Sequence, residues 1–357
     1  MTRTGRLRVA AYPAGRPHQS NPFAKLFADA LRAEGATVDD MRVSALFRSR
    51  YDIVHLHWPE WTLEAGSRRR VATLLSALAW ARLRGARVVW TVHNLGHHDG
   101  SPAPRGAWAA FARLVDGVVC LTQNGVAAVR AEYPRLARAP TRVIPHGHYR
   151  DVYPNTVTRS EARAWLGIPE GARVALFFGQ VRAYKGVVEL LQAFEAIPDP
   201  NAVLVVAGRP SPDELAHEIE TIATRDCRVR LRLGLVAVDD VQRFLNAADL
   251  VVLPYRESLN SGAALLALSF DRPVYAPARG AFAELAGTLG SNWVNTYAAP
   301  LDGPALSAAL DASRKSDGAH APLGELSWSA IGREACEFYE QLLSSNRRTR
   351  STTSSGP

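Results

Sequence analysis

Cysteine is scarce: the 357 residues hold three, Cys120, Cys227 and Cys336, too widely spaced for a disulfide framework or a metal cluster. All three read as small core residues, which fits a reducing cytoplasm. No uninterrupted apolar run reaches the ~18 residues of a membrane-spanning helix. The basic start, Met1 to Arg8, leads into a short strand, Leu7 to Tyr12, rather than the apolar region of a signal peptide. The motifs of DNA- and RNA-binding modules are missing, and the arginines are not interleaved with aromatics on a repeated unit, so nucleic acid is not expected as a partner. His-Glu-x-x-His is also absent, and no metal is expected.

What remains is an ordinary globular composition, 47% hydrophobic, long enough for two domains with full cores. The net charge of +8 is unevenly spread. Residues 1–150 carry 22 Lys and Arg against 10 Asp and Glu, and the rest carry 20 against 24. The first part is therefore at +12 and the second at −4, and a basic half attracts an anionic surface such as lipid or a phosphorylated acceptor.

Short β-branched runs alternate with amphipathic ones along residues 7–121, and the cycle restarts at Val174–Phe178. That alternation predicts two parallel, doubly wound α/β domains of Rossmann type. The boundary falls in the polar, Pro-containing stretch from Arg150 to Ser160. The expected organisation is an N-terminal domain over 1–153, a second over 154–328, a closing helix over 329–343 and a disordered tail over 344–357, which has no apolar face.

The most specific segment is Phe178-Gly179-Gln180-Val181-Arg182-Ala183-Tyr184-Lys185-Gly186, a strand-to-helix loop with two cations. At such a junction the first helical N–H groups lack acceptors and the dipole is positive, so Arg182 and Lys185 add to a site suited to phosphate. A comparable junction follows Asp249–Leu253: Pro254-Tyr255-Arg256-Glu257-Ser258-Leu259-Asn260-Ser261-Gly262. Asn260 and Ser261 are good helix caps, and Gly262 admits a ligand close to the backbone. Two such junctions in one half suggest a nucleotide diphosphate held by both.

In open α/β sheets ligands sit outside the carboxyl ends of the strands. In the first half those ends carry His55-Leu56-His57-Trp58-Pro59-Glu60, His93-Asn94-Leu95-Gly96-His97-His98-Asp99 and His146-Gly147-His148-Tyr149-Arg150-Asp151, with seven of the ten histidines. This concentration of titratable groups suggests a polar cleft. His55 lies within the strand and reads as a satisfied core histidine.

These strings, with Arg182-x-Tyr184-Lys185-Gly186, Asn260-Ser261-Gly262 through Leu268-Ser269, and Arg272-Pro273-Val274, resemble the bacterial β-mannosyltransferases of glycosyltransferase family 94, the xanthan type of GDP-mannose:glycolipid 4-β-D-mannosyltransferase. The resemblance runs from about Asn21 to Tyr339. It implies a GT-B fold, two Rossmann-like domains facing across a cleft, with no metal or other cofactor and GDP-mannose as donor. It further implies an inverting transfer to a polyprenyl-diphosphate-linked oligosaccharide in exopolysaccharide or glycolipid synthesis, at the inner face of the cell membrane. The wider GT-B family 4 pattern fits less well. Its Gly-Arg is Gly179-Gln180 here, and its ribose-binding glutamate falls on Leu266, which cannot do that work. A retaining family-4-like transferase using another nucleotide sugar, or a non-catalytic nucleotide-sugar-binding protein, are the alternatives.

On this reading the donor side comprises Arg182, Lys185, Asn260, Ser261, Gly262, Glu257, His146 and His148. The acceptor side comprises His57, Trp58, His93 and Asn94. An inverting transfer needs a base for the acceptor hydroxyl, and Glu60 is the first choice: Pro59 fixes its loop and favours an exposed carboxylate. His98 and Asp99 are the next candidates, and a surface ion pair with an arginine is the non-catalytic alternative for Glu60. The segment Ser67–Gly85 reads as a helix packed on the sheet, with Arg68, Arg69, Arg70 and Trp80 or Trp61 available to anionic headgroups.

Overall fold

The computed structural model describes residues 6–14, 21–64, 66–96, 105–313 and 318–351. The chain forms two compact units: Met1–Gly147 with Leu326–Pro357, and His148–Glu325.

The first unit is built on six strands: β1 (Arg8–Tyr12), β2 (Thr37–Asp40), β3 (Ile53–Leu56), β4 (Arg87–Val92), β5 (Gly117–Cys120) and β6 (Thr141–Val143). All pair in parallel, in the order β2-β1-β3-β4-β5-β6. Val88, Trp90 and Val92 of β4 face one apolar layer, with Leu74, Leu78 and Phe111, while Val89 faces the other, with Phe23, Phe27 and Tyr339. Covering both faces is why these strands read as continuous apolar runs. The second layer is completed by the closing helix, Trp328–Ser351, whose Ile331, Ala335, Phe338, Tyr339 and Leu342 are buried against the Phe23–Ala33 helix. Gly332 permits that approach, since a Cβ there would come 2.7 Å from the Ala30 carbonyl oxygen.

The second unit has β7 (Arg173–Phe178), β8 (Ala202–Gly208), β9 (Val229–Leu233), β10 (Leu250–Val252), β11 (Val274–Pro277) and β12 (Val294–Tyr297), all parallel, in the order β12-β11-β10-β7-β8-β9. Counted from β7, this is the 3-2-1-4-5-6 order of the doubly wound dinucleotide-binding sheet. Strand order reverses between β7 and β10 here, and between β1 and β3 in the first unit. Those two gaps are where such sheets hold ligands.

The fold corrects two expectations, and it adds strands that the sequence does not reveal. The closing helix does not stop at Leu343 but continues to Ser351, because no Gly or Pro interrupts the chain before Gly356. Cys227 is exposed rather than a core residue. Strands β2, β6 and β12 lie at sheet edges, where partial burial leaves no apolar run to reveal them.

Candidate active site

In the first unit β3 ends at Leu56, and the chain turns through His57-Trp58-Pro59 into a one-turn helix, Glu60–Leu63. The turn folds inward. Glu60 is only 3% exposed, which overturns the expectation of a solvent-facing carboxylate, and among the described residues no arginine pairs with it. Its Oε1 accepts a hydrogen bond from Asn94 Nδ2 at 3.1 Å, and Oε2 has no partner among the described residues. Burial pushes the Glu60 carboxyl up to about 7, with the charge of Glu64 acting in the same direction and the Asn94 hydrogen bond opposing it. Glu64 lies one turn on, its Oε1 accepting from Trp108 Nε1 at 2.8 Å.

Of the predicted acceptor-side residues Asn94 contacts this carboxyl, and His57, Trp58 and His93 pack on one another. Trp58 stacks on His93 with centroids 4.4 Å apart, and on Trp61 at 5.2 Å. His93 Nε2 lies 3.4 Å from His57 Nδ1. Phe23 presents its ring to His57, His93 and His146 at 5.5, 4.7 and 4.7 Å. Burial drives the histidines below their ordinary range, His57 to about 3 and His146 to about 4, so all are neutral near pH 7. His55 is a core residue, its two nitrogens bonded to the Tyr339 and Thr91 hydroxyls. Among the described residues no group of three or more His, Cys, Asp or Glu is arranged to hold a metal ion.

His146 was expected with the donor, yet it belongs to this cluster. Gly147 lets the Trp328 ring approach to 2.4 Å of where a Cβ would stand, and that packing draws the segment into the first unit. His148 starts the second unit, and its neighbour Tyr149 bonds through its N–H to Ser269, at the opposite end of the Gly262–Ser269 helix from Ser261. His98 and Asp99 lie outside the described residues.

In the second unit the two predicted phosphate loops leave the ends of β7 and β10, the strands flanking the reversal. They are tied together: the Arg256 N–H donates to the Tyr184 carbonyl at 2.8 Å. Gly186, at φ +69°, lies so close that a Cβ would come 2.3 Å from the Pro254 carbonyl oxygen. Lys185 Nζ sits 5.0 Å from the centre of the Tyr255 ring. Burial, and then the neighbouring Arg182, lower the Lys185 ammonium to about 8, so it is not the permanent cation that the sequence suggests. Ser261 caps the Gly262–Ser269 helix by accepting the Ala264 N–H at 3.1 Å, and the Asn260 carbonyl accepts from the Ser258 hydroxyl at 2.9 Å. Glu257 is exposed. Leu266 is buried within the helix and offers no polar atom to a ribose.

A family model described as "Glycosyltransferase Family 4" matches residues 9–150, and one described as "Glycosyl transferases group 1" matches residues 172–312. A GDP-mannose:glycolipid 4-β-D-mannosyltransferase of Xanthomonas campestris is 35% identical over 333 residues, 91% of this chain and 89% of that protein. The chain belongs to the glycosyltransferases. Solved structures agree on the transferase fold. A sucrose-phosphate synthase of Thermosynechococcus elongatus superposes with a TM-score of 0.68 at 18% identity, over 95% of this chain and 100% of that one. The Anabaena protein HepE in complex with UDP-glucose superposes at 0.63 and 17% identity, over 96% and 99%. The fold, two parallel doubly wound α/β domains, is thus the one expected.

Sequence reasoning about the transferase missed Phe23, Glu64, Tyr255 and Trp328. Glu64 had a signal, a second carboxylate four residues after Glu60 and so on the same helical face. Phe23 and Trp328 had none, since their place near the histidines follows from tertiary packing alone.

Proposed function

We propose that this glycosyltransferase moves mannose from GDP-mannose to the sugar of a lipid-linked oligosaccharide, forming a β-mannoside with inversion. The observation that carries the reading is the buried Glu60 carboxyl, held by Asn94 and pushed up to about 7, where a general base is most effective. The mannosyl donor and glycolipid acceptor are supported by the Xanthomonas relative, which spans nearly the whole chain.

Glu60 Oε2 takes the proton of the acceptor hydroxyl as its oxygen bonds to the anomeric carbon. The bond from that carbon to the diphosphate breaks, and its electron pair goes to the phosphate oxygen. Arg182, Lys185 and the free amides at the start of the Gly262–Ser269 helix stabilise the charge that develops. With these cations in place no metal is required, and the rate should withstand chelation. His57, Trp58, His93 and Asn94 shape the acceptor side. Attachment to the inner membrane face is supported by the +12 charge of residues 1–150 and by exposed Trp61, Trp80 and Leu83. Among the described residues no helix is long and apolar enough to cross a membrane.

The test is incubation with radiolabelled nucleotide sugars and a membrane extract, followed by NMR of the product. A β-mannoside from GDP-mannose is the expected result. An α-linked product would instead favour a retaining mechanism, and nucleotide binding without turnover would favour a binding protein.

A further inference from the structure

A cavity of about 440 Å³ opens beyond the carboxyl ends of β1 and β2 in the first unit, apart from the groups that the transfer chemistry uses. Tyr12, Met41, Val43 and Leu74 give it an apolar wall, and Arg69 and Arg70 give it a cationic one, beside the Ser67 and Thr73 side chains. Its place follows from topology: Tyr12 ends β1, Met41 follows β2, and Tyr12 is in register with Leu56 of β3. Thr62, which also lines it, lies two residues beyond Glu60 in the same helical turn. The cavity and the proposed base therefore both lie beyond the carboxyl end of one sheet.

Arg68, Arg69 and Arg70 are exposed in the first turn of the Arg68–Leu83 helix, and none forms an ion pair among the described residues. Cations there oppose the helix dipole, and the first turn has no acidic residue to offset them. A local rule broken without compensation in the fold is what a binding role leaves behind.

We propose that this cavity binds the phosphate-bearing end of a lipid chain, the anchor of the acceptor. The inference rests on the lipid-linked acceptor proposed above and says which part of the chain grips it. Guanidinium groups suit the fork geometry of phosphate oxygens, and the Ser67 hydroxyl adds a donor. The first carbons of the chain lie along Tyr12, Met41, Val43 and Leu74, a wall that a free phosphate would not use. The volume falls within the ~300–1,000 Å³ of sites for one small ligand, so the remainder of a long lipid stays in the bilayer.

Calorimetry on the full chain tests this, with farnesyl diphosphate and inorganic pyrophosphate as probes and sedimentation with phosphatidylglycerol vesicles alongside. Farnesyl diphosphate should bind at least tenfold more tightly than pyrophosphate. The double variant Arg69→Gln/Arg70→Gln should weaken it at least tenfold, as should Val43→Trp, which fills the cavity, while GDP binding is unchanged. Because both arginines are exposed, the double variant decides the matter even if Val43→Trp fails to fold. The proposal is overturned if pyrophosphate binds as well as farnesyl diphosphate. It is equally overturned if the double variant loses only vesicle attachment, which would assign the arginines to the bilayer surface. Failure of the wild-type chain to bind GDP-mannose would sink the transfer reading instead, and leaves the farnesyl diphosphate result readable.

Discussion

If Glu60 must be ionised and Lys185 protonated, kcat/KM for the donor should trace a narrow bell against pH. The acid limb belongs to the carboxyl at about 7 and the alkaline limb to the ammonium at about 8. With the two so close, only about 0.6 of the enzyme is in the active form at the optimum near pH 7.5, and the rate falls about sevenfold by pH 6 and again by pH 9. GDP release at subsaturating donor, across that range, is the assay.

The causes of the Glu60 shift give the experiment its sign tests. Glu64→Gln removes a neighbouring negative charge and should move the acid limb down. Asn94→Ala removes a hydrogen bond that favours the carboxylate and should move it up. Lys185→Arg keeps a permanent charge and should carry the alkaline limb out of range. Glu60→Gln should cut turnover by about 10²–10⁴ and abolish the acid limb in what remains. A Glu60→Gln enzyme with near-normal turnover would refute the reasoning, because a carboxyl that merely holds Asn94 is replaced by an amide without loss. The same result combined with loss of activity in His98→Ala or Asp99→Asn would move the base to that loop.

Glu60 also makes a stability prediction. Its folded pKa lies above its ordinary 4.5, so its contribution to stability is present below about 4.5 and lost as pH rises through about 7. Glu60→Gln should therefore stabilise the protein by up to about 3 kcal/mol at pH 8 and by nearly nothing at pH 4, as read from urea unfolding. Arg182→Ala and Lys185→Ala should each lower turnover by about 10², and guanosine should bind far more weakly than GDP. Gly186→Ala, which drives a Cβ to 2.3 Å from the Pro254 carbonyl oxygen, should abolish GDP binding in calorimetry; unchanged affinity would remove the donor from these loops. Binding to anionic liposomes should be strong at low salt and fade as ionic strength approaches ~0.15 M, where exposed charges are screened beyond about 8 Å.

How far the sequence carries depends on how local each cause is. Gly179, Arg182, Lys185, Gly186 and Ser261 are legible because a strand, a turn and a helix start are written within a dozen residues. The parallel sheets are legible because strands covered on both faces must be apolar throughout. Glu60 is half legible: its residue type and strand-end position suggest a base, but the hydrogen bond that holds it inward comes from Asn94, more than thirty residues away. His146 and His148 look like one motif, yet the chain passes from one unit to the other between them, under the influence of Trp328. A contact made across some 180 positions leaves no mark on the local pattern.

Where the protein tolerates unsatisfied groups is itself informative. Among the described residues five buried side-chain atoms lack a hydrogen-bond partner: His57 Nε2, Glu60 Oε2, Glu64 Oε2, Trp90 Nε1 and Tyr255 OH. Each such atom costs about 1–3 kcal/mol, so a fold selected for stability alone would scatter few of them and favour none of its surfaces. Three of the five belong to the turn after β3, and a fourth belongs to the ring beneath Lys185. Nothing in the structure explains Trp90. The two strand reversals thus carry most of the polar cost as well as the residues assigned to chemistry. A titratable carboxyl kept buried, with one oxygen bonded to Asn94, destabilises the first unit most at the pH where it would act as a base. That coincidence is hard to account for by packing, which would have favoured a glutamine or a leucine at position 60, and it follows directly if the carboxyl is retained for proton transfer.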